Sequence, residues 1–416
     1  MQRQTVSGWA GVALTVVLGL AATVVLAGCG GSSHGHRART ASTPTASTPL
    51  TVSTSTKPGR TTSPGGTPTV GNGSLAPGGP VPPGVEASSV TFISPSTAFI
   101  LGTAPCDARP CSAILRTTDR GVSWVGLPAP RKGVSYPLGN GLWGLRFADS
   151  QHGYAFGQGL WETANSGRSW QRATAPAPTV LSLEAVQDRE IVALARSCQP
   201  GQGCGRAIGL YHEPIGGTWQ RVASVGSGAS GASISVLGEE VWAIAGNRLF
   251  YSADSGRSFA PQRQPCPTHG SNFGQPTSIT NDGSHVYVLC TGQGFTGNTL
   301  KYVYASTGAG APWTLVGKPP SPGDGGQISA GSDDAILIAS YSAASFLYRS
   351  DDGGQTWSTV LTKDDGGAGW SDLGFTTSTD AVVVHGPAIQ DGAGDQRPGK
   401  VLLSEDGGLT WHAASF

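Results

Sequence analysis

One octapeptide constrains the fold of this chain more than any other feature. It reads Ser or Thr, any residue, Asp, any, Gly, any, Ser or Thr, then an aromatic ring. It appears as T-T-D-R-G-V-S-W at 117–124, S-A-D-S-G-R-S-F at 252–259, S-D-D-G-G-Q-T-W at 350–357 and S-E-D-G-G-L-T-W at 404–411. T-A-N-S-G-R-S-W at 163–170 carries Asn165 in place of the Asp. Two eroded copies fill the gaps: H-E-P-I-G-G-T-W at 212–219 keeps Gly216, Thr218 and Trp219, and S-T-G-A-G-A-P-W at 306–313 keeps Ser306, Gly310 and Trp313. Successive starts lie 40 to 54 residues apart. That period, in strand-like sequence, marks propeller blades of about four strands each.

The chemistry of the motif is local. An Asp at the third position accepts hydrogen bonds from backbone amides of its own turn. Gly at the fifth supplies a positive φ that a Cβ resists. The closing aromatic begins the next strand and buries a large ring against a neighbouring sheet. Asp119, Asp254, Asp352 and Asp406, with Asn165, therefore read as turn staples and not as catalysts. A pair of short alternating strands precedes each octapeptide, at 89–102, 144–157, 182–195, 233–246, 277–290, 327–339 and 371–384. β-branched flanks around polar turns are hairpin signals. Seven pairs and seven corners predict an all-β, seven-bladed β-propeller over 88–416, each blade contiguous in sequence. Residues 80–88 are available for a closing strand. The 63 Gly and 29 Pro, with only 12% charged residues, suit many tight turns.

The corners, together with F-x-D-x-x-H-G-Y-A-F-G at 147–157, resemble the Asp-box (BNR repeat) propeller superfamily. The 147–170 segment is most similar to the photosystem II assembly-factor-like propellers, whose known members act as assembly or scaffold proteins. Sialidases and some glucan-cleaving glycosidases also carry such boxes. The resemblance implies the fold and does not choose among these functions.

The N-terminus reads as an export signal. Arg3 opens it, residues 9–27 are mostly apolar, and L-A-G-C closes it at 26–29. This resembles the bacterial lipobox, which implies a lipoprotein: acyl chains such as palmitate on Cys29 and cleavage before it. The alternative is an uncleaved transmembrane anchor. Both place the rest of the chain outside the cytoplasm, lipid-anchored to the cell membrane in the first case. Residues 29–87 are rich in Ser, Thr, Pro and Gly and lack the apolar side chains needed to offset ordering entropy, so they are expected to form a disordered tether. The expected organisation is signal peptide 1–28, lipidated tether 29–87 and propeller 88–416.

Setting Cys29 aside leaves six cysteines of the seven. An even number in an exported chain points to disulfides. Cys106 and Cys111 flank one short loop, Cys198 and Cys204 another, so the expected pairs are 106–111, 198–204 and 266–290. No C-x-x-C pair occurs and His269 alone lies near a Cys, so neither metal nor cofactor is expected.

A net charge of +0 argues against a nucleic-acid partner. The sialidase R-I-P motif is absent. Carboxylate candidates for a glycosidase sit in loops: Asp324, Asp364, Asp365, Asp391 and Asp395. Asp- and Gly-rich loops are usually solvated turns. G-N-G-L-W-G at 139–144 and G-Q-G-F-T-G at 292–297 match a phosphate-loop pattern, but neither opens a helix after a strand.

With strands running outward from the axis, the inter-blade and second-to-third connections share one face, opposite the octapeptides. The long insertions fall on that face, and long loops on a rigid scaffold usually carry recognition. The candidate binding residues are Arg109, Arg131, Tyr136, Trp143, His269, Phe295, Trp370 and Arg397. For Trp143 and Trp370 the alternative is that they cap blade cores. The sequence thus favours a non-catalytic, membrane-tethered scaffold recognising another envelope protein, with a surface glycoside hydrolase acting on polysaccharide as the alternative.

Overall fold

A computed structural model describes residues 75–106, 111–135, 140–187, 189–199, 203–225, 232–267, 274–386 and 399–416. Regular structure among them is strand throughout, in seven antiparallel sheets of four. Each sheet takes four strands consecutive in sequence and orders them one to four, so every blade is a meander. The innermost strands are Glu86–Phe92, Leu142–Phe147, Thr179–Val186, Ala232–Leu237, Gln275–Asn281, Asp324–Ser332 and Trp370–Phe375. Each packs on the next, and the last packs on the first. The chain is a seven-bladed β-propeller, the fold read from the repeat.

The octapeptides connect third strands to fourth. In blade 1, Asp119 Oδ1 accepts from Ser123 N (2.9 Å) and from the Thr117 hydroxyl (2.7 Å), while Thr117 Oγ1 accepts from Gly121 N (2.9 Å). Asp254, Asp352 and Asp406 repeat the arrangement. Asn165 keeps it as well: its Oδ1 takes Ser169 N at 3.0 Å and its amide donates to Ser169 Oγ at 2.9 Å. The turn needs positive φ at two successive positions, 62° at Arg120 and 86° at Gly121. The first is a position where an L side chain costs about 1 kcal/mol. In blade 3, buried His212 replaces the opening hydroxyl and bonds buried Glu190 at 2.7 Å, and Glu190 also pairs with Arg257 from the blade 4 corner. An ionic staple there takes the place of the hydroxyl one.

The closing aromatics build the blade interfaces. Trp170 packs on Phe99 and Leu101 of blade 1, Trp219 on Tyr154 and Phe156 of blade 2, and Phe259 on Val192 and Leu194 of blade 3. Trp313 meets Trp242 of blade 4 edge-on at 6.2 Å. Trp357 and Trp411 do the same work on blades 5 and 6, and Trp124 on Val382 and Leu403 of blade 7. Seven interfaces each hold one apolar cluster, so the core is a ring of wedges rather than one centre.

Closure takes no strand from the far terminus. Blade 1 meets blade 7 through the Trp124 cluster, which also gathers Val81, Val85 and Phe416. One expected boundary shifts, and the candidate closing strand is placed elsewhere. Residues 75–87, placed in the tether, pack on the ring: Ala76 is 1% exposed and Arg116 Nη1 donates to its carbonyl at 2.6 Å. The segment before the first strand adds to the outer edge of blade 1, through reciprocal 2.9 Å bonds between Gly79 and Gly126, and does not close blade 7. Val81 and Val85 supply the apolar surface that holds it there.

Candidate functional site

An innermost strand has a sheet neighbour on one side only, so its remaining amides need partners. Side chains from the preceding blade provide them. Leu145 N donates to Ser89 Oγ (3.1 Å), Ile328 N to Ser278 Oγ (3.1 Å), Ala330 N to Thr280 Oγ1 (3.2 Å), Leu373 N to Gln327 Oε1 (3.2 Å) and Val90 N to Asp372 Oδ2 (2.8 Å). These side chain-to-amide bonds line part of the wall of an axial channel of about 1190 Å3, which is lined by residues of all seven inner strands and rich in Ser and Thr.

The charged centre of the channel is Arg146. Its Nε lies 2.8 Å from Glu184 Oε1, its Nη2 3.0 Å from Asp372 Oδ1, and its Nη1 donates to the Leu145 carbonyl at 2.8 Å. One guanidinium thus joins blades 2, 3 and 7. Asp372 adds blade 1, because it also accepts from Ser89 and Val90. A register irregularity between Ser371 and Gly374 and a φ of 49° aim Asp372 into the ring. Asp tolerates the left-handed region better than most residues. Burial pushes the Glu184 carboxyl above the usual carboxylate range; Arg146 pulls it back only in part, and the Asp372 charge adds to the rise. Arg196 lines the same channel, forms no ion pair among the described residues, and has its pKa lowered by burial.

The sequence-level candidates divide three ways. Arg109, Tyr136, His269 and Arg397, with Asp391 and Asp395, lie outside the described residues. Arg131 is exposed and Phe295 is 58% exposed at a hairpin tip. Trp143 is partly buried between blades 2 and 3. Trp370 is buried and donates to Ser340 O at 3.1 Å, so it caps a blade core and offers no free surface. Tyr341, 47% exposed, belongs beside Phe295: Ser342 donates to Gly297 O at 3.0 Å and ties the two tips together. Two of the described loop carboxylates are engaged locally. Asp324 accepts from Thr299 at 2.9 Å, and Asp365 lies 2.6 Å from His385 while capping Gly367 N and Ala368 N.

The loop face is stiffened from below. Disulfides join Cys106 to Cys111 and Cys266 to Cys290. Cys198 is disulfide-bonded too, and Cys204 stands opposite it in the ladder. Lys301, 2% exposed, is caged by the carbonyls of Thr299, Pro320, Ser321, Pro322 and Gly323 at 2.8–3.2 Å, which pins the connection between blades 5 and 6. Burial lowers its pKa to about 8, against an opposing pull from Asp324.

No protein-family model matches the sequence, and no curated protein matches it. Solved structures do match. YCF48 from Cyanidioschyzon merolae aligns with a TM-score of 0.51 at 16% identity, covering 79% of this chain and 98% of that one. In fold, the chain resembles YCF48. A second YCF48 structure, bound to D1 peptide, aligns with a TM-score of 0.50 at 14% identity, covering 78% and 95%. An oligogalacturonate lyase from Vibrio parahaemolyticus aligns equally well, at 0.50 with 11% identity, covering 77% and 91%. At such identities the likeness is one of fold, and it is shared by a peptide-bound protein and a lyase.

Proposed function

We propose that the chain is an extracytoplasmic recognition propeller, anchored to the membrane through acylated Cys29, whose loop face binds another envelope protein. One observation carries the reading. The propeller presents exposed Phe295 and Tyr341 on neighbouring hairpin tips, the first braced by the Cys266–Cys290 disulfide and both adjoining the connection pinned by Lys301, while the paired charges of the axial channel are spent on one another. Rigid exposed aromatics suit a protein contact, because little side-chain entropy is lost on binding. The peptide bound to YCF48 supports a protein ligand on this fold. The octapeptide corners serve as structural Asp boxes in this reading, and L-A-G-C after the apolar run supports the anchor.

The test is affinity capture from detergent-solubilised envelope, with the full chain as bait and quantitative mass spectrometry as readout. A partner enriched by the native chain and lost with Phe295→Ala plus Tyr341→Ala, at unchanged thermal stability, is the expected result. The glycoside hydrolase reading draws on one feature, the raised carboxyl of Glu184 in a polar channel. Reducing-sugar release that disappears in Glu184→Gln would select it and overturn the scaffold.

A further inference from the structure

Blades 2 and 5 turn between their first and second strands with the same sequence pattern, D-S-Q-H at 149–152 and D-G-S-H at 282–285. In both, Asp Oδ1 caps the turn. Asp149 Oδ1 accepts from Gln151 N and His152 N at 2.6 and 2.7 Å, and Asp282 Oδ1 from Ser284 N and His285 N at 2.8 and 2.7 Å. The other oxygen separates them. In blade 2, His152 Nδ1 returns to Asp149 Oδ2 at 2.9 Å and satisfies it. In blade 5, His285 Nδ1 lies instead 2.9 Å from Asp333 Oδ1 of blade 6, which also receives the Tyr287 hydroxyl. Asp282 Oδ2 is sealed from solvent and no amide, hydroxyl or ring N–H reaches it, so the Asp282 carboxyl can hydrogen-bond the adjacent Asp333 carboxyl only by sharing a proton with it. Its neighbour is a second carboxylate: one ligand atom from each of Asp282, His285 and Asp333 falls within 4.8 Å of the others.

A buried, unpaired carboxylate oxygen facing another carboxylate is costly twice over, through lost hydration and through like-charge repulsion. A single cation removes both costs. We propose that Asp282, Asp333 and His285 hold a divalent transition-metal ion of the zinc–manganese class, which clamps blade 5 to blade 6. Two carboxylates and one imidazole fit that class. Calcium, which takes six to eight oxygen ligands, is a poorer match to the ring nitrogen. The amides of Ser284 and His285 hold Asp282 through Oδ1 and leave Oδ2 free for the ion. The Tyr287 hydroxyl orients Asp333 in the same way. On binding, His285 Nδ1 exchanges its hydrogen bond with Asp333 for a metal bond and releases any proton it carries. A search for metal ligands around the cysteines passes this site by, since none of its residues is near one. The turns that form it lie on the face opposite the recognition loops, so the inference stands whether or not the proposed partner is found.

The test is calorimetric titration of the full chain, purified in detergent and stripped with chelator, against zinc chloride and manganese chloride separately. One equivalent of either ion should bind, and binding should raise the melting temperature. Asp282→Asn and Asp333→Asn should each weaken affinity roughly tenfold or more, while His152→Gln in the self-satisfied blade 2 turn leaves it unchanged. Asp282→Asn should also raise the melting temperature of the metal-free chain, because the repulsion is gone. Circular dichroism checks the fold of each variant, and Asp282→Asn decides alone if Asp333→Asn does not fold. Absence of unit-stoichiometry binding for both ions, or native affinity in folded Asp282→Asn, would overturn the proposal.

Discussion

Replacing Asp372 with Ala should open the ring at its least redundant point. The substitution removes the ionic contact with Arg146 Nη2 at 3.0 Å and the acceptor for Val90 N at 2.8 Å and for the Ser89 hydroxyl. Arg146 and Asp372 are only 19% and 16% exposed, so water restores little of what is lost. Breaking a buried pair from one side costs about 3–5 kcal/mol; partial exposure and the surviving Glu184 contact place this case near the lower end, about 3.5 kcal/mol. Ala at a φ of 49° adds strain in the same direction. With about 2.1 cal/mol/K of unfolding entropy per residue, a ring of roughly 340 residues has about 0.7 kcal/mol/K, so the melting temperature should fall by about 5 °C. Differential scanning calorimetry reads this directly. A double-mutant cycle with Arg146→Met should return a coupling of about 1–3 kcal/mol. A melting temperature within 1 °C of the native chain, or strict additivity in the cycle, would falsify the keystone role of the triad.

Three further outcomes follow from the corners and the disulfides. Arg120→Gly should raise stability by about 1 kcal/mol in denaturant titration, since it relieves a left-handed residue at φ 62° where blades 6 and 7 use Gly353 and Gly407; a loss of stability would contradict the strain argument. Acid should erode the ring through its corners. The Ser123 hydroxyl and amide hold Asp119 at about 2, those of Thr356 hold Asp352 there, and at Asp406 the Thr410 bonds outweigh burial to the same end. Their stabilisation is complete above the ordinary value of 3.8 and is lost as pH falls towards 2. Asp352→Asn, imitating Asn165, should flatten the stability profile between pH 4 and 2; an unchanged slope would sink the assignment. Replacing both Cys266 and Cys290 by Ser, which removes a cross-link of sequence separation 24, should cost about 3.5 kcal/mol in the same denaturant assay. A cost below 1 kcal/mol would mean that the connection is held without the bond.

The periodic part of this molecule was legible in its sequence, because it is made of local chemistry. A turn such as S-D-D-G-G-Q-T-W needs only its own eight residues to form, and seven copies imply a ring. Position four of the corner was less legible: Arg120, Ser166 and Ser255 adopt positive φ with side chains that give no hint of it. The channel was not legible at all. Arg146 and Asp372 are 226 positions apart, and each looks like an ordinary polar residue of an alternating strand. Only closure brings blade 7 beside blade 1 and makes them partners. Lys301 escaped for a related reason, since it buries only when the proline-rich connection 318–323 folds over it. The D-x-x-H turns were visible, but the orphaned oxygen of Asp282 depends on where the neighbouring blade places Asp333.

Every blade here is whole in sequence, and the seam between the first and last is sealed without a shared strand, by side chains and by a bond from Ala87 N to the Gly399 carbonyl at 2.9 Å, with Phe416 lying edge-on to Trp124 at 5.8 Å. The two ends of the propeller therefore meet at a junction built like the other six. Joining them and cutting the backbone at any other junction should yield a permuted protein with the same seven wedges.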